Sequence, residues 1–257
     1  ELAPLHNPGC VAGIKGARAM MGSDTPMVAV FDTAFHRSMP LVASTYAIDV
    51  DLAEKHGIRR YGFHGIAHAS MAGICAAAVN CPLGQLRLIT LQLGNGCSAT
   101  AIDRGRSVDT SIGFTPLEGL VMGTRSGDVD PAVVGHLVRR EGLSVDEVER
   151  LLNERSGLLG LSGLSGDMRE LLNAAESKPD SRAALALDLF CYRVRKYIGA
   201  YWAVLGGADA IVFGGGIGER SAIIRARICD GMGWCGLRLD PLRNEAAVEI
   251  APGDAMK

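Results

Sequence analysis

Three side chains stand out as candidates for chemistry on an anion: Asp32, His64 and Arg125. Asp32 closes the apolar run of residues 26–31, which reads as a buried strand, and open α/β sheets place ligands at the carboxyl ends of strands. The same residue type equally caps a helix or a turn. His64 lies between glycines and aromatics in Tyr61-Gly62-Phe63-His64-Gly65. A histidine so placed is either a hydrogen-bonded core residue or a ligand contact. Arg125, in Met122-Gly123-Thr124-Arg125-Ser126-Gly127-Asp128, either pairs with Asp128 at the surface or clamps an anion with its planar, permanently charged fork.

Glycine-rich turns supply a second ingredient: Leu93-Gly94-Asn95-Gly96, Gly163-Leu164-Ser165-Gly166-Asp167 and residues 214–218. Without a Cβ the backbone N–H groups can approach phosphate oxygens closely, and a following helix adds its N-terminal dipole. Any one of these turns could merely reverse the chain. Three of them, each read as following or connecting strands, point to a nucleotide. The sequence contains no G-x-x-x-x-G-K-[ST], which excludes a P-loop, and Glu219 stands where the dinucleotide fingerprint needs its last glycine. What remains is a protein that clamps phosphates between β-turns.

Composition narrows the class. The 257 residues carry 26 basic and 28 acidic side chains, a net charge of -2, which argues against a nucleic-acid or membrane surface held by bulk positive charge. With 48% hydrophobic and 21% charged residues the chain is an ordinary globular one, of about one to two domains, and not disordered. Its 33 glycines are about twice the usual share. The seven cysteines form no C-x-x-C pair and no zinc spacing, so they read as reduced, mostly core thiols of a cytoplasmic protein. No apolar run reaches the ~18 residues of a membrane helix. The chain opens at Glu1 and stops at Lys257 in the manner of a fragment.

The elements that must position these groups follow from local signals. Residues 87–93 and 97–103 read as strands joined at Asn95-Gly96, a strong hairpin signal, with a third strand near 107–111. Helices are expected over 131–140 after Asp130, from the capping box at Ser144 to Leu152, and over 183–205, ended by Gly206-Gly207. A strand at 209–213, a loop at 214–218 and a helix at 221–229 complete a layered α/β fold, with a domain boundary near residues 35–40.

Read together, the motifs resemble a known family. Leu5-His6-Asn7-Pro8, Val30-Phe31-Asp32-Thr33-Ala34-Phe35-His36, Tyr61-Gly62-Phe63-His64-Gly65, Leu93-Gly94-Asn95-Gly96, Asp109-Thr110-Ser111-Ile112-Gly113-Phe114-Thr115-Pro116-Leu117-Glu118-Gly119-Leu120, Gly123-Thr124-Arg125-Ser126-Gly127-Asp128 and Gly216-Ile217-Gly218-Glu219 occur in this order. They are similar to the acetate/propionate/butyrate kinase family, from the first residues to about Asp240. The resemblance implies a ribonuclease H-like α/β fold of the actin, sugar kinase and chaperone-ATPase superfamily, a mixed sheet with flanking helices. Residues 1–35 would then be the remnant of a first domain and 36–257 most of a second.

It also implies an activity: transfer of the γ-phosphoryl of ATP to a short-chain carboxylate, acetate foremost, giving acyl phosphate and ADP with Mg2+. Asp32, His64 and Arg125 would be the catalytic residues. Nucleotide contacts would map onto Gln92, Leu93, Gly94, Asn95 and Gly96, onto Asp167, Met168 and Arg169, and onto Gly216, Ile217, Gly218, Glu219 and Arg220. Leu5, Phe63 and Pro116 would wall the acyl group with His6 beside them. A homodimer is implied, and neither nucleic acid nor membrane as partner. The chain departs from the family pattern at Gln92, usually His, at Ile66-Ala67, usually Thr-Ser, and at Arg220, usually Asn. The family's N-terminal serine-rich phosphate loop, second substrate arginine and C-terminal metal-linked glutamate are not in the sequence, so the 257 residues alone are expected to turn over little. The alternative is a nucleotide-binding or dimerisation module without turnover.

Overall fold

A computed structural model of the chain describes residues 7–247. A four-stranded mixed sheet lies at its centre, built from β1 (Arg87–Leu93), β2 (Cys97–Asp103), β3 (Arg106–Thr110) and β4 (Ala210–Gly214) in the order β3-β2-β1-β4. The helices are α1 (Asn7–Met21), α2 (Leu41–Ser44), α3 (Val50–His56), α4 (Gly65–Ala78), α5 (Ala132–Glu141), α6 (Val145–Glu154), α7 (Gly157–Ser162), α8 (Met168–Ser177), α9 (Arg182–Leu205), α10 (Gly215–Arg220), α11 (Ala222–Cys229) and α12 (Pro241–Ala246). None of the described helices is long and apolar enough to cross a membrane.

The meander forms as its turn residues dictate. β1 and β2 pair antiparallel from Arg87↔Asp103 to Leu93↔Cys97, and the Gly94 N–H closes the turn onto the Gly96 carbonyl at 3.1 Å. β4 then pairs parallel to β1, setting Gly214 opposite Gln92. Two glycine-rich turns are thereby brought to the same end of the sheet.

Strand alternation divides the core into two unlike layers. Ile89, Leu91 and Leu93 with Cys97, Ala99 and Ala101 face α9, whose Leu187, Phe190, Val194 and Ile198 are fully buried against them. On the other face Leu88 and Ile102 pack against Ala72, Cys75 and Ala76 of α4. Toward the turn end that second layer becomes polar: Thr90, Ser98, Thr100, Thr110, His68, His36 and Ser107 are all buried.

Local chemistry explains the helix ends. Ser144 and Glu147 form the expected capping box on α6, Ser181 caps α9 by accepting from Ala184 N, and Gly206 ends α9 at φ 64°. The Asp130 carboxylate accepts from Ala132 N at 2.9 Å at the start of α5.

Three readings are corrected. Residues 26–31 form no strand: Val28, Val30 and Phe31 are 86%, 69% and 69% exposed. An apolar run becomes a buried strand only where a layer covers it, and none among the described residues does. Residues 215–218 are the first turn of α10 and not a loop, because Gly214 stays extended and Gly215, at φ +74°, folds back against the Leu93 backbone. The turn at 163–167 joins α7 to α8 and connects no strands. Leu5 and His6 lie outside the described residues.

His36 ties these layers together. It is 1% exposed, with Nδ1 2.8 Å from Ser107 Oγ and Nε2 donating to the Phe63 carbonyl at 2.9 Å. Burial pushes its pKa from 6.5 down to about 4, against the raising effects of that carbonyl and of Asp32. Between those values the unfolded chain binds a proton that the folded chain refuses, so stability falls as pH falls through the window. Urea denaturation of the wild type is expected to lose about 2 kcal/mol more between pH 7 and pH 5 than that of His36→Gln. Equal losses in the two proteins would refute this account of His36.

Candidate functional site

Asp32 does cap a helix, one that begins 33 residues later. Its carboxylate accepts from the His64 N–H at 2.6 Å and, weakly, from Ile66 N at 3.4 Å, while its carbonyl accepts from Gly65 N at 2.9 Å. These bonds satisfy orphan donors at the start of α4. They also hold His64 at φ 58°, ψ 24°, a left-handed conformation that costs a non-glycine residue about 1 kcal/mol. Gly65 has no room for a Cβ, since the Asp32 carbonyl and Phe35 lie against it. His64 Nδ1 is 2.8 Å from the Ser98 hydroxyl, which fixes the ring plane.

Arg125 approaches from the opposite side. Its loop is pinned by backbone bonds from Ser126 N to Leu152 O at 3.0 Å and from Ser156 N to Thr124 O at 2.9 Å. The guanidinium Nη1 donates to the Pro116 carbonyl at 2.9 Å. Arg125 makes no pair with Asp128, whose carboxylate instead accepts from Gly119 N at 2.9 Å and from the Tyr197 hydroxyl at 2.7 Å. The Pro116 loop is itself held by Glu118, which binds Arg60 Nη2 at 2.6 Å and accepts from the Tyr46 hydroxyl. Burial weakens the charged form of Arg125, yet a guanidinium remains charged in proteins. It is a partly desolvated cation that an anion would stabilise.

The two groups meet over Gly96. A Cβ there would lie 3.4 and 3.5 Å from His64 Cε1 and Nε2, and 3.7 Å from Arg125 Nη1. His64 and Arg125 therefore meet at Gly96, with Asp32 tied to the His64 backbone and the Pro116 carbonyl to the Arg125 guanidinium.

The other side of the same turn lines a cavity of about 730 Å³. Of the expected nucleotide contacts, Gly94, Asn95, Asp167, Met168, Arg169, Gly216, Ile217 and Arg220 line it. Gln92, Leu93, Gly96, Gly218 and Glu219 do not. Leu93 is buried in the core and Gly218 packs on Phe213, whereas the Glu219 carboxylate accepts from Gly215 N at 3.2 Å. Gln92 sits on β1 beside Gly214, and Gly96 faces the His64 side of the turn. Arg169 forms a two-pronged bond to Asp167, at 3.0 and 2.6 Å, that holds the carboxyl at about 2. Gly166, from the glycine-rich turn at 163–167, also lines it, and Leu172, Ser221, Ala222 and Ile223 complete the wall and were not anticipated. The one signal among them is Ser221, the N-cap of α11. Ser98 and His68, which back His64, were missed as well, since a buried hydroxyl on a strand carries no sequence mark of its partner.

The mixed sheet delivers glycine-rich turns to one end, between a cation and a cavity of nucleotide size, and its likeness to solved kinase structures places the fold in the actin, sugar kinase and chaperone-ATPase class. The chain belongs to the Acetokinase family, whose model matches residues 1–253. It is 57% identical over 246 residues to an acetate kinase of Leifsonia xyli, covering 96% of this chain and 61% of that protein. An acetate kinase of Methanosarcina thermophila is 52% identical over 258 residues, covering 99% and 63%. Among solved structures, the Porphyromonas gingivalis acetate kinase superposes with a TM-score of 0.90 at 42% identity, over 96% of this chain and 61% of that one. A propionate kinase from Francisella tularensis gives 0.89 at 43%, over 95% and 62%. The chain thus spans about three-fifths of the length of these relatives.

The capping role of Asp32 has a measurable cost. Asp32→Ala is expected to lower stability by about 1–2 kcal/mol in urea denaturation, as for other lost helix caps. A change below a few tenths would mean that His64 holds its left-handed backbone without Asp32.

Proposed function

We propose that the protein transfers the γ-phosphoryl group of ATP to a short-chain carboxylate, acetate foremost, yielding acyl phosphate and ADP. The observation that carries this reading is the convergence of His64 Nε2 and Arg125 Nη1 over Gly96, with the nucleotide-sized cavity on the far side of the same turn. The names of the relatives, acetate and propionate kinases, support the substrate class.

The chemistry suits these residues. A carboxylate acceptor is already ionised near pH 7, so no strong general base is required. The protein must align two anions and balance the charge spread over the transferring group. Arg125 does so by charge and by its bidentate fork, and His64 by a hydrogen bond from Nε2. Gly94 and Asn95 of the turn and Gly216 and Ile217 of α10 line the cavity in which the phosphates would lie. Phe63 and Pro116 wall the acyl group on this side, with Leu5 and His6 assigned to the same wall. One methylene is worth only ~1–3 kcal/mol in such a pocket, so propionate is turned over too.

Asp32 is the carboxylate nearest His64, and together with the nucleotide phosphates it suits Mg2+, which takes few protein ligands and keeps its waters. Bound there, the ion would neutralise β- and γ-phosphate charge. Among the described residues no group of three or more His, Cys, Asp or Glu side chains is placed to hold a metal ion. In this reading residues 1–35 end a first domain, 36–257 form most of a second, and the protein is a cytoplasmic homodimer.

Acetyl phosphate formation in the full-length gene product tests the proposal. Arg125→Ala is expected to lower kcat at least about a hundredfold, the scale of a lost transition-state donor. An effect under threefold removes Arg125 from the mechanism. Gly96→Ala is expected to melt within about 1 kcal/mol of wild type, because its new methyl meets ordinary contact distances, yet to lose most of the turnover. Nucleotide binding by calorimetry with no acyl phosphate formed would support the module without turnover instead; the substitution of Gln92 for the family's histidine favours that outcome.

A further inference from the structure

Behind His64 lies a buried chain of hydrogen bonds that the phosphoryl-transfer reading does not use. His64 Nδ1 is 2.8 Å from Ser98 Oγ, Ser98 Oγ is 2.7 Å from His68 Nε2, and His68 Nδ1 is 2.7 Å from Thr90 Oγ1. Ser98, His68 and Thr90 are each 0% exposed. In such a chain the donors and acceptors cannot be chosen independently, because each neutral imidazole donates from one nitrogen and accepts at the other.

Only one direction satisfies every proton. If His68 donated from Nδ1 to Thr90, the Thr90 hydroxyl hydrogen would need another acceptor, and His68 is the only partner the described residues give that hydroxyl. A buried donor left unmade is costly. Thr90 therefore donates to His68 Nδ1, His68 donates from Nε2 to Ser98, and Ser98 donates to His64 Nδ1. His64 is left with its hydrogen on Nε2, the atom that lies over Gly96 beside Arg125.

We infer that Thr90, His68 and Ser98 act as a directional relay that fixes His64 as the Nε2–H tautomer and so keeps a hydrogen-bond donor aimed into the cleft. They are positioning residues for His64. Two further observations fit. Burial, with the neighbouring His36 and His64, keeps His68 well below the usual histidine range, so it stays a neutral link that both donates and accepts. His36, whose ring is 6.0 Å from that of His68, must itself carry its hydrogen on Nε2, since that nitrogen faces the Phe63 carbonyl. It places no competing donor on the relay. A relay of this polarity suits a ligand that only accepts hydrogen bonds, such as a phosphoryl oxygen, and its functional meaning rests on the reading given above.

The test needs no nucleotide. Long-range 1H–15N spectra of the chain labelled with 15N-histidine report which nitrogen of each ring is protonated, with His64→Gln identifying the His64 signals. The expected result at pH 7.5 is the Nε2–H form for both His64 and His68. A His64 held as Nδ1–H, or as imidazolium, in the wild type overturns the inference. Thr90→Val removes the first donor while keeping the side-chain shape. It is expected to raise the Nδ1–H fraction of His64 at least about threefold, whereas Thr90→Ser keeps the wild-type pattern, as the loss of one buried donor predicts. An unchanged His64 in folded Thr90→Val also overturns the relay. In the full-length gene product the same substitution is expected to lower kcat with nucleotide KM unchanged. If the spectra behave as expected and acetyl phosphate is never formed, the relay stands and the phosphoryl-transfer reading falls.

Discussion

The backbone of His64 is held in a left-handed conformation by the side chain and carbonyl of Asp32, and the geometry of the cleft depends on that restraint. Left-handed φ costs a non-glycine residue about 1–2 kcal/mol, so the chain adopts it only where the surroundings over-determine it. Here three hydrogen bonds to Asp32 do so, and Gly65 allows the close approach that makes them. Released to an ordinary helical or extended backbone, His64 would swing its ring away from Gly96. Asp32 is thus neither a simple cap nor a simple ligand. Capping is how a carboxylate from a segment with no regular structure is brought beside an imidazole 32 residues away.

The two faces of the sheet divide the work. Against α9 the core is apolar and close-packed, held by the hydrophobic effect and dispersion contacts that carry no preferred direction. Against α4 the buried layer is built from hydroxyls and imidazoles, whose hydrogen bonds fix direction as well as distance. Among the described residues no buried side-chain nitrogen or oxygen is left unpartnered, so this polar layer is a completed network. His64 is backed by the second kind of layer, through Ser98 and His68.

What the sequence made legible was chemistry decided by nearest neighbours. The Asn95-Gly96 hairpin, the Ser144–Glu147 capping box and the glycine stop of α9 all formed as local rules require, because each is settled within four residues. The ends of α5, α9, β4 and α11 fell within a residue of their expected positions. The apolar run before Asp32 misled, since burial depends on what covers a segment and not on the segment. Helix α4 is marked by no N-cap side chain of its own: its cap comes from Asp32, distant in sequence. The motif residues Asp32, His64 and Arg125 could be named from the sequence, but Ser98, His68 and Thr90 could not be joined to them. Their hydrogen bonds cross from helix to strand, and strand alternation alone does not say which hydroxyl meets which imidazole.

The turn from Gly94 to Gly96 joins the two sides of the site. Its carbonyl at Asn95 accepts from Gly123 N at 3.0 Å, joining it to the loop that carries Arg125, while Gly94 and Asn95 form part of the cavity wall. One thin stretch of backbone therefore separates a volume of about 730 Å³ from the His64 and Arg125 side chains. Any side chain at Gly96 would thicken that wall on the charged side and fill the space between imidazole and guanidinium. Backbone without a Cβ is what lets any ligand come close to such a turn. The way from the cavity toward His64 and Arg125 is thus set by backbone, and the aim of the two side chains by Asp32 and Pro116, residues that lie outside the turn itself.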